Sequence, residues 1–372
     1  MTMKKILFLI PNLKHGGAEK VLVNLANNLD RSKYDVTVQT LFDVGVNKES
    51  LLPHVRYKTV FKKEFRGNNR FFQLFSPKYL WDRFVKERYD IAVSYLEGPT
   101  SRILSGCDDP HTKRIAWLHI ELNTPKLAAL GFRNVGEAQK AYRSFDEVVA
   151  VSRNVRDCFL QNLQIQRPIR VLYNTNETEQ ILQRSSEPLD DPRFPVVGPT
   201  VCSVAKLMPT KGFDRLLQVH KRLLDEGHPH KVCILGIGED QKMLEREIAR
   251  LGVQDSFLLL GFQKNPYKFV SRCDLYVCSS RREGFSTAVT EALVVGTPVV
   301  STDCSGAKEL LGENDEYGIV VENSTEGIYE GMKRMLSEPA LLAHYKEKAK
   351  ERGSFFSRTE TVKAVEAMLD SL

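Results

Sequence analysis

Residues 283–300 read "EGFSTAVTEALVVGTPVV", and they follow the run "DLYVCSS" at 274–280. The earlier run is apolar and β-branched enough to make a buried strand. Gly296 and Pro298 end a helix expected to begin near Ser286. The order is strand, loop, helix, with Gly284, Phe285, Ser286 and Thr287 at the junction. The first backbone amides of a helix have no partner inside it and lie at the positive end of its dipole. An anion such as a diphosphate is stabilised there. Glu283 precedes that point and Glu291 is expected about two turns inside the helix. Carboxylates are poor phosphate ligands but good acceptors for hydroxyls, so the pair suits a ligand carrying both sugar hydroxyls and phosphate. A solvated loop Glu and a polar helix face would give the same letters.

Working upstream, "VCSVAKLMPTKGFDRLLQVH" from residue 201 reads as a strand over 201–207, a loop with Lys206 and Lys211, and a helix opening after Gly212. Ligands of open α/β sheets bind beyond the carboxyl ends of the strands, where a diphosphate needs cations. Two loop lysines are also what a solvated turn carries. "KVCILGIGEDQKMLEREI" gives a further strand, then Gly236 and Gly238, then a helix, a layout that lets backbone approach a ligand closely.

Strand-like and helix-like runs alternate along all 372 residues, which predicts two doubly wound parallel sheets. In the first half, strands are expected over 6–10, 36–41, 91–95, 115–119, 148–151 and 171–173. The polar, proline-bearing stretch "SSEPLDDPRFPVVGP" at 185–199 breaks the alternation and is expected to be the linker. The chain is long enough to bury two cores, and 42% hydrophobic with 27% charged residues is ordinary for a soluble globular protein. No apolar run is long enough to span a bilayer, and the first strand leads straight into a glycine loop, so a cytoplasmic location is expected. Seven scattered cysteines without a Cys-x-x-Cys pair point to reduced core residues, neither zinc ligands nor a disulfide framework.

Between Arg56 and Arg88 the chain carries ten Lys or Arg against Glu64, Asp82 and Glu87, interleaved with Phe, Tyr and Trp. This region reads as neither strand nor simple helix. Basic and aromatic side chains together suit an anionic membrane surface. They equally suit a fold with the aromatics buried and the cations solvated. No nucleic-acid recognition module is visible.

The set of "KG" at Lys211 and Gly212, "LGIGED", "GF" at Gly261 and Phe262, and the Glu-x7-Glu at Glu283 and Glu291 resembles, in order and spacing, the nucleotide-sugar half of the family-four retaining glycosyltransferases of the GT-B fold. The opening "KKILFLIPNLKHGGAEKVLVNLANNL" resembles that family's first strand, glycine loop and helix. The resemblance implies two Rossmann-like domains facing a central cleft. Residues 1–185 would take the acceptor, 198–355 the nucleotide sugar, and 356–372 would be a helix packing back on the first domain. It implies that Glu291 binds ribose hydroxyls and Glu283 those of the transferred sugar. Lys211 would neutralise the diphosphate, and Lys206 stands where the family usually has Arg, keeping charge without a bidentate fork. Gly16 and Gly17 match the loop whose amides face the cleft. His119, ending "RIAWLH", matches a histidine near the reacting carbon, although a strand-end His is often structural. Ser152 and Asn174 match cleft positions, with "NTNET" departing from the family's usual Asn-Gly.

The implied activity is transfer of a hexose or N-acetylhexosamine from a nucleoside diphosphate sugar, UDP-linked first, to a hydroxyl of a glycan acceptor, lipid-linked, in bacterial cell-surface polysaccharide synthesis. Configuration would be retained, with neither a metal nor another cofactor, since no Asp-x-Asp motif is evident. Such a protein would sit in the cytoplasm, peripherally on the inner membrane face. A non-catalytic nucleotide-sugar-binding partner and a sugar-nucleotide epimerase share the architecture. A dehydrogenase fits worst, because "PNLKHGGAE" lacks Gly-x-Gly-x-x-Gly.

Overall fold

Mostly buried, apolar runs form the majority of thirteen strands in a computed structural model, which describes residues 3–14, 16–194, 197–304 and 306–372. The first sheet holds β1 (Lys4–Ile10), β2 (Tyr34–Phe42), β3 (Arg56–Phe61), β4 (Ile91–Ser94), β5 (Lys113–Leu118), β6 (Glu147–Ala150) and β7 (Arg170–Val171). The second holds β8 (Thr200–Val204), β9 (Lys231–Leu235), β10 (Phe257–Gly261), β11 (Leu275–Cys278), β12 (Val299–Thr302) and β13 (Ile319–Val321). Every pairing is parallel, in the orders β3-β2-β1-β4-β5-β6-β7 and β10-β9-β8-β11-β12-β13. Parallel strands need crossover connections, and helices on both faces supply them. These are two Rossmann-like α/β units. The strand order reverses between β1 and β4 in one and between β8 and β11 in the other, the two places where such sheets open a crevice at their carboxyl ends.

The units comprise residues 1–175 with 358–372, and residues 176–357. The division falls ahead of the expected linker. Helix Thr178–Ser185 belongs to the second unit, where Arg184 donates to the Lys264 carbonyl (2.6 Å) and Asn265 to the Arg184 carbonyl (2.8 Å). The stretch after it is strapped to the same unit by Lys268 on the Pro188 carbonyl and Arg272 on the Glu187 carbonyl. Pro195 and Val196, inside the expected linker, lie outside the described residues. Helix Arg358–Asp370 is part of the first unit. Its Val365, Met368 and Leu369 are buried, and Glu366 accepts from the Asp30 amide at 2.8 Å.

The segment between Arg56 and Arg88, read from sequence as neither strand nor simple helix, contains both. It forms β3 and the helices Asn68–Gln73 and Pro77–Phe84. Phe42, Phe61, Phe65, Phe72 and Phe84 pack as one aromatic cluster with ring centroids 5.5–6.4 Å apart. Arg102, fully buried, holds the two helices by donating to the carbonyls of Phe72 and Phe75 at 2.8 Å each, and Glu137 neutralises it at 2.9 Å. Phe71, Leu74 and Tyr79 stay exposed, as do Lys62, Lys63, Arg66 and Arg70. The aromatics are thus mostly packed together and the cations exposed, as the buried-aromatic reading expects.

Candidate functional site

In the second unit, three loops at the carboxyl ends of β8, β9 and β10 are laced by backbone bonds. Ala205 and Leu207 donate to the carbonyls of Leu235 and Ile237 (3.1 Å each), and Gly236 to that of Gly261 (2.9 Å). This lacing explains two glycines. Gly236 has φ +152°, and a Cβ on it would stand 1.9 Å from the Ala205 carbonyl oxygen; one on Gly238 would stand 2.1 Å from that of Leu207. Their observed close approach is thus to neighbouring backbone. Phe262 follows, more than half exposed.

Lys211 ends a short 3-10 turn, Pro209–Lys211, and Gly212 turns the chain with φ +67° into helix Phe213–Asp225. The turn is pinned to the end of β11. Ser279 Oγ donates to the Lys211 carbonyl (2.8 Å), Arg215 Nη2 to the Ser279 carbonyl (2.7 Å), and the Arg281 amide to the Thr210 carbonyl (2.7 Å). So placed, Lys211 Nζ meets Glu283 Oε1 at 2.6 Å, and Ser280 Oγ donates to the same oxygen at 2.7 Å. The side chains are only 22% and 13% exposed. Burial alone pulls the Lys211 ammonium down, but the charge and hydrogen bond of Glu283 more than reverse this, so its pKa is raised. Lys206 is exposed.

Gly284 and Phe285 are buried at the foot of helix Thr287–Val294. Ser286 is its N-cap, accepting from the Val289 amide at 3.4 Å. Glu291 is the fifth residue of this helix, little more than one turn inside and nearer the helix start than the two turns expected. It is 9% exposed, and Tyr267 Oη donates to it at 3.3 Å. The three functional signals of the motif, an ammonium, a loop carboxylate and a helix carboxylate, are therefore carried by adjoining elements around the β8–β11 switch.

In the first unit, Gly16 caps helix Gly17–Asn28 after β1. His119 follows β5 and is 6% exposed, its ring tilted against that of Tyr95 with centroids 4.7 Å apart. Its Nε2 is buried without a hydrogen-bond partner. Burial pulls its pKa down to about 3, so the ring is neutral at neutral pH. The sequence reading missed Glu97, in the loop after β4. This buried carboxylate accepts from the amides of His119 and of Ile120 (2.9 Å), fixing the backbone that carries the imidazole. Burial pushes Glu97 up to about 7 against the pull of those amides. Its signal was the carboxylate in "YLEGP", between a strand end and a Gly-Pro helix start. Ser152 is fully buried as the N-cap of helix Arg153–Leu163, accepting from Val155, a structural duty. Asn174 is buried at the end of this unit. Tyr267 and Arg215 also went unread, since each acts through residues far along the chain. Among the described residues no cluster of three or more His, Cys, Asp or Glu is placed to hold a metal ion, and no helix is long and apolar enough to cross a membrane.

The family model for Glycosyltransferase Family 4 matches residues 15–180, and that for Glycosyl transferases group 1 matches residues 190–352. The chain is similar to the N-acetylgalactosamine-N,N'-diacetylbacillosaminyl-diphospho-undecaprenol 4-alpha-N-acetylgalactosaminyltransferase of Campylobacter jejuni, 33% identical over 222 residues, 59% of this chain and 58% of that protein. A glycosyltransferase of Haemophilus influenzae is 24% identical over 355 residues, 94% of this chain and 95% of that one. Among solved structures, Anabaena Alr3699/HepE in complex with UDP-glucose has a TM-score of 0.75 at 21% identity, covering 99% of this chain and 100% of its own, a likeness of fold.

Proposed function

Because the chain belongs to the family-4-type GT-B glycosyltransferases, we propose that it moves a hexose or N-acetylhexosamine, with retention, from a UDP-linked donor to a hydroxyl of a lipid-linked glycan in cell-surface polysaccharide synthesis. The observation that carries this is the Lys211–Glu283 contact beside a helix start, with Glu291 inside that helix. Glu291 takes the ribose hydroxyls, Glu283 those of the sugar, and Lys211, Lys206 and the helix start near Ser286 take the diphosphate. Negative charge grows on the leaving phosphate as the glycosidic bond stretches, so these cationic groups strengthen their grip in the transition state without needing a divalent ion. The departing diphosphate receives the acceptor proton on the same face. His119, kept neutral by burial, is the first unit's candidate for a chemical role. A UDP-linked donor is supported by the Anabaena protein's complex, and a lipid-linked acceptor by the undecaprenol in the Campylobacter relative's name.

A thermal-shift panel of UDP, GDP and their sugars tests the donor. A ligand at 100 times its dissociation constant stabilises by about 2.7 kcal/mol, and no shift from any of them would remove the nucleotide site. Incubation with donor alone distinguishes a transferase, which hydrolyses it slowly, from an epimerase, which returns an altered sugar. For the acceptor side, Lys62, Lys63, Arg66 and Arg70 make no ion pair among the described residues, and Leu74 and Tyr79 stand exposed near them in sequence. We infer peripheral docking on the anionic inner face of the cell membrane, each cation contributing about 1 kcal/mol. Replacing Lys62, Lys63 and Arg66 with Ser should weaken co-sedimentation with phosphatidylglycerol vesicles and spare activity on a short soluble acceptor. Wild-type protein that ignores such vesicles at low salt leaves the patch a solvated face.

A further inference from the structure

The same ion pair has a second consequence, which rests on the nucleotide-sugar reading. The backbone of Lys211 is tied to Ser279, which Arg215 holds in turn. Its ammonium is already engaged by Glu283, and Ser280 donates to the same carboxylate oxygen. An incoming diphosphate therefore meets a nearly neutral pair, in a partly desolvated place where a carboxylate repels it strongly. A sugar on the diphosphate changes the balance, since its hydroxyls donate to the carboxylate that otherwise opposes the phosphate.

We propose that Glu283 is a specificity-determining counter-ion. It masks Lys211 against free nucleoside diphosphate, so that the site favours the sugar-bearing donor and expels the bare product once the sugar has left. Removing the negative charge unmasks the lysine. Product then binds better although a polar contact has been deleted, the reverse of what loss of an ordinary binding residue does.

The test is calorimetric titration of UDP, GDP and inorganic diphosphate into wild type, Glu283→Gln, Glu283→Ala, Lys211→Ala and the Glu283→Gln/Lys211→Ala double variant, with melting curves to confirm folding. Both Glu283 variants are expected to bind the anions about tenfold more tightly than wild type. Lys211→Ala should bind them more weakly, and the gain from Glu283→Gln should be smaller in the Lys211→Ala background than in the wild-type one, because the part due to unmasking passes through the lysine. Glu283 variants that bind equally or less well overturn the masking role and leave the nucleotide reading standing. Absence of binding by all three probes to wild type and variants alike overturns both. Inorganic diphosphate carries no base, so a donor built on another nucleotide would still register.

Discussion

Two carboxylates, half-buried Glu283 and buried Glu97, stand beyond the carboxyl ends of strands in the two sheets, and they are satisfied in opposite ways. Glu283 is met by an ammonium and a hydroxyl, whereas Glu97 is met by backbone amides with no cation among its hydrogen-bond partners. The first arrangement holds mobile charge that a ligand can redistribute. The second holds backbone, and the carboxylate carries its own desolvation cost, which is why Glu97 is pushed up to about 7. Chemistry belongs where charge can be exchanged, and positioning where it cannot.

The widest separation should come from Lys211→Ala. Loss of a charge that acts on the leaving group should lower turnover by about 10²–10³-fold, roughly 3–4 kcal/mol, and donor affinity by much less. Single-turnover rates beside calorimetric affinities measure this, and equal losses in both would give Lys211 a plain binding role.

Glu97→Gln should act oppositely, as a gain in stability. An acid whose folded pKa is raised keeps its proton in the folded state over a range where the unfolded chain has lost it. Stability therefore falls as pH rises from about 4.5 to about 7, and the deficit persists above. The amide removes that deficit, so the variant should gain roughly 2–3 kcal/mol at pH 8 and little at pH 4. Denaturant melts at both pH values check it, and a gain independent of pH would mean that Glu97 ionises normally.

Smaller still, Glu291→Ala should weaken donor binding and kcat/KM together by about tenfold, because a ribose contact is present in the ground and transition states alike. Wild-type donor affinity in that variant would remove Glu291 from the site. The smallest effect expected is none: on the proposal that Lys206, Lys211 and a helix start do the work of a divalent ion, activity should survive EDTA. Abolition by chelator with rescue by magnesium or manganese would show otherwise.

What could be read from the sequence was what is local. The strand, loop and helix around Glu283 lie within thirty residues, so turn residues and apolar runs marked them, and the same holds for Lys211 before Gly212. The start of β3 gave no such signal. It is an edge strand with every residue half-buried or exposed, and it is ordered by Phe61 packing on Phe42. The helices after it depend on Arg102, about thirty residues further along. Glu97 and Tyr267 were invisible for the same reason: each acts on a residue more than twenty positions away. The linker was misplaced because proline and acidic residues look alike whether a strand of chain is loose or strapped down, and here Arg272 and Lys268 strap it.

The first unit is discontinuous, and that bears on how the chain is made. Translation delivers residues 1–175 first, yet helix Arg358–Asp370 supplies Val365, Met368 and Leu369 to that unit's interior. The part synthesised earliest is therefore completed last, after the whole second unit has emerged from the ribosome. Until then its β1 and β2 flank is uncovered where Lys4 meets the Leu369 carbonyl and Tyr34 meets Asp370. An N-terminal domain ordinarily folds as it is born, whereas here residues 1–175 must wait for the buried face of helix Arg358–Asp370 before that unit's interior has all its side chains.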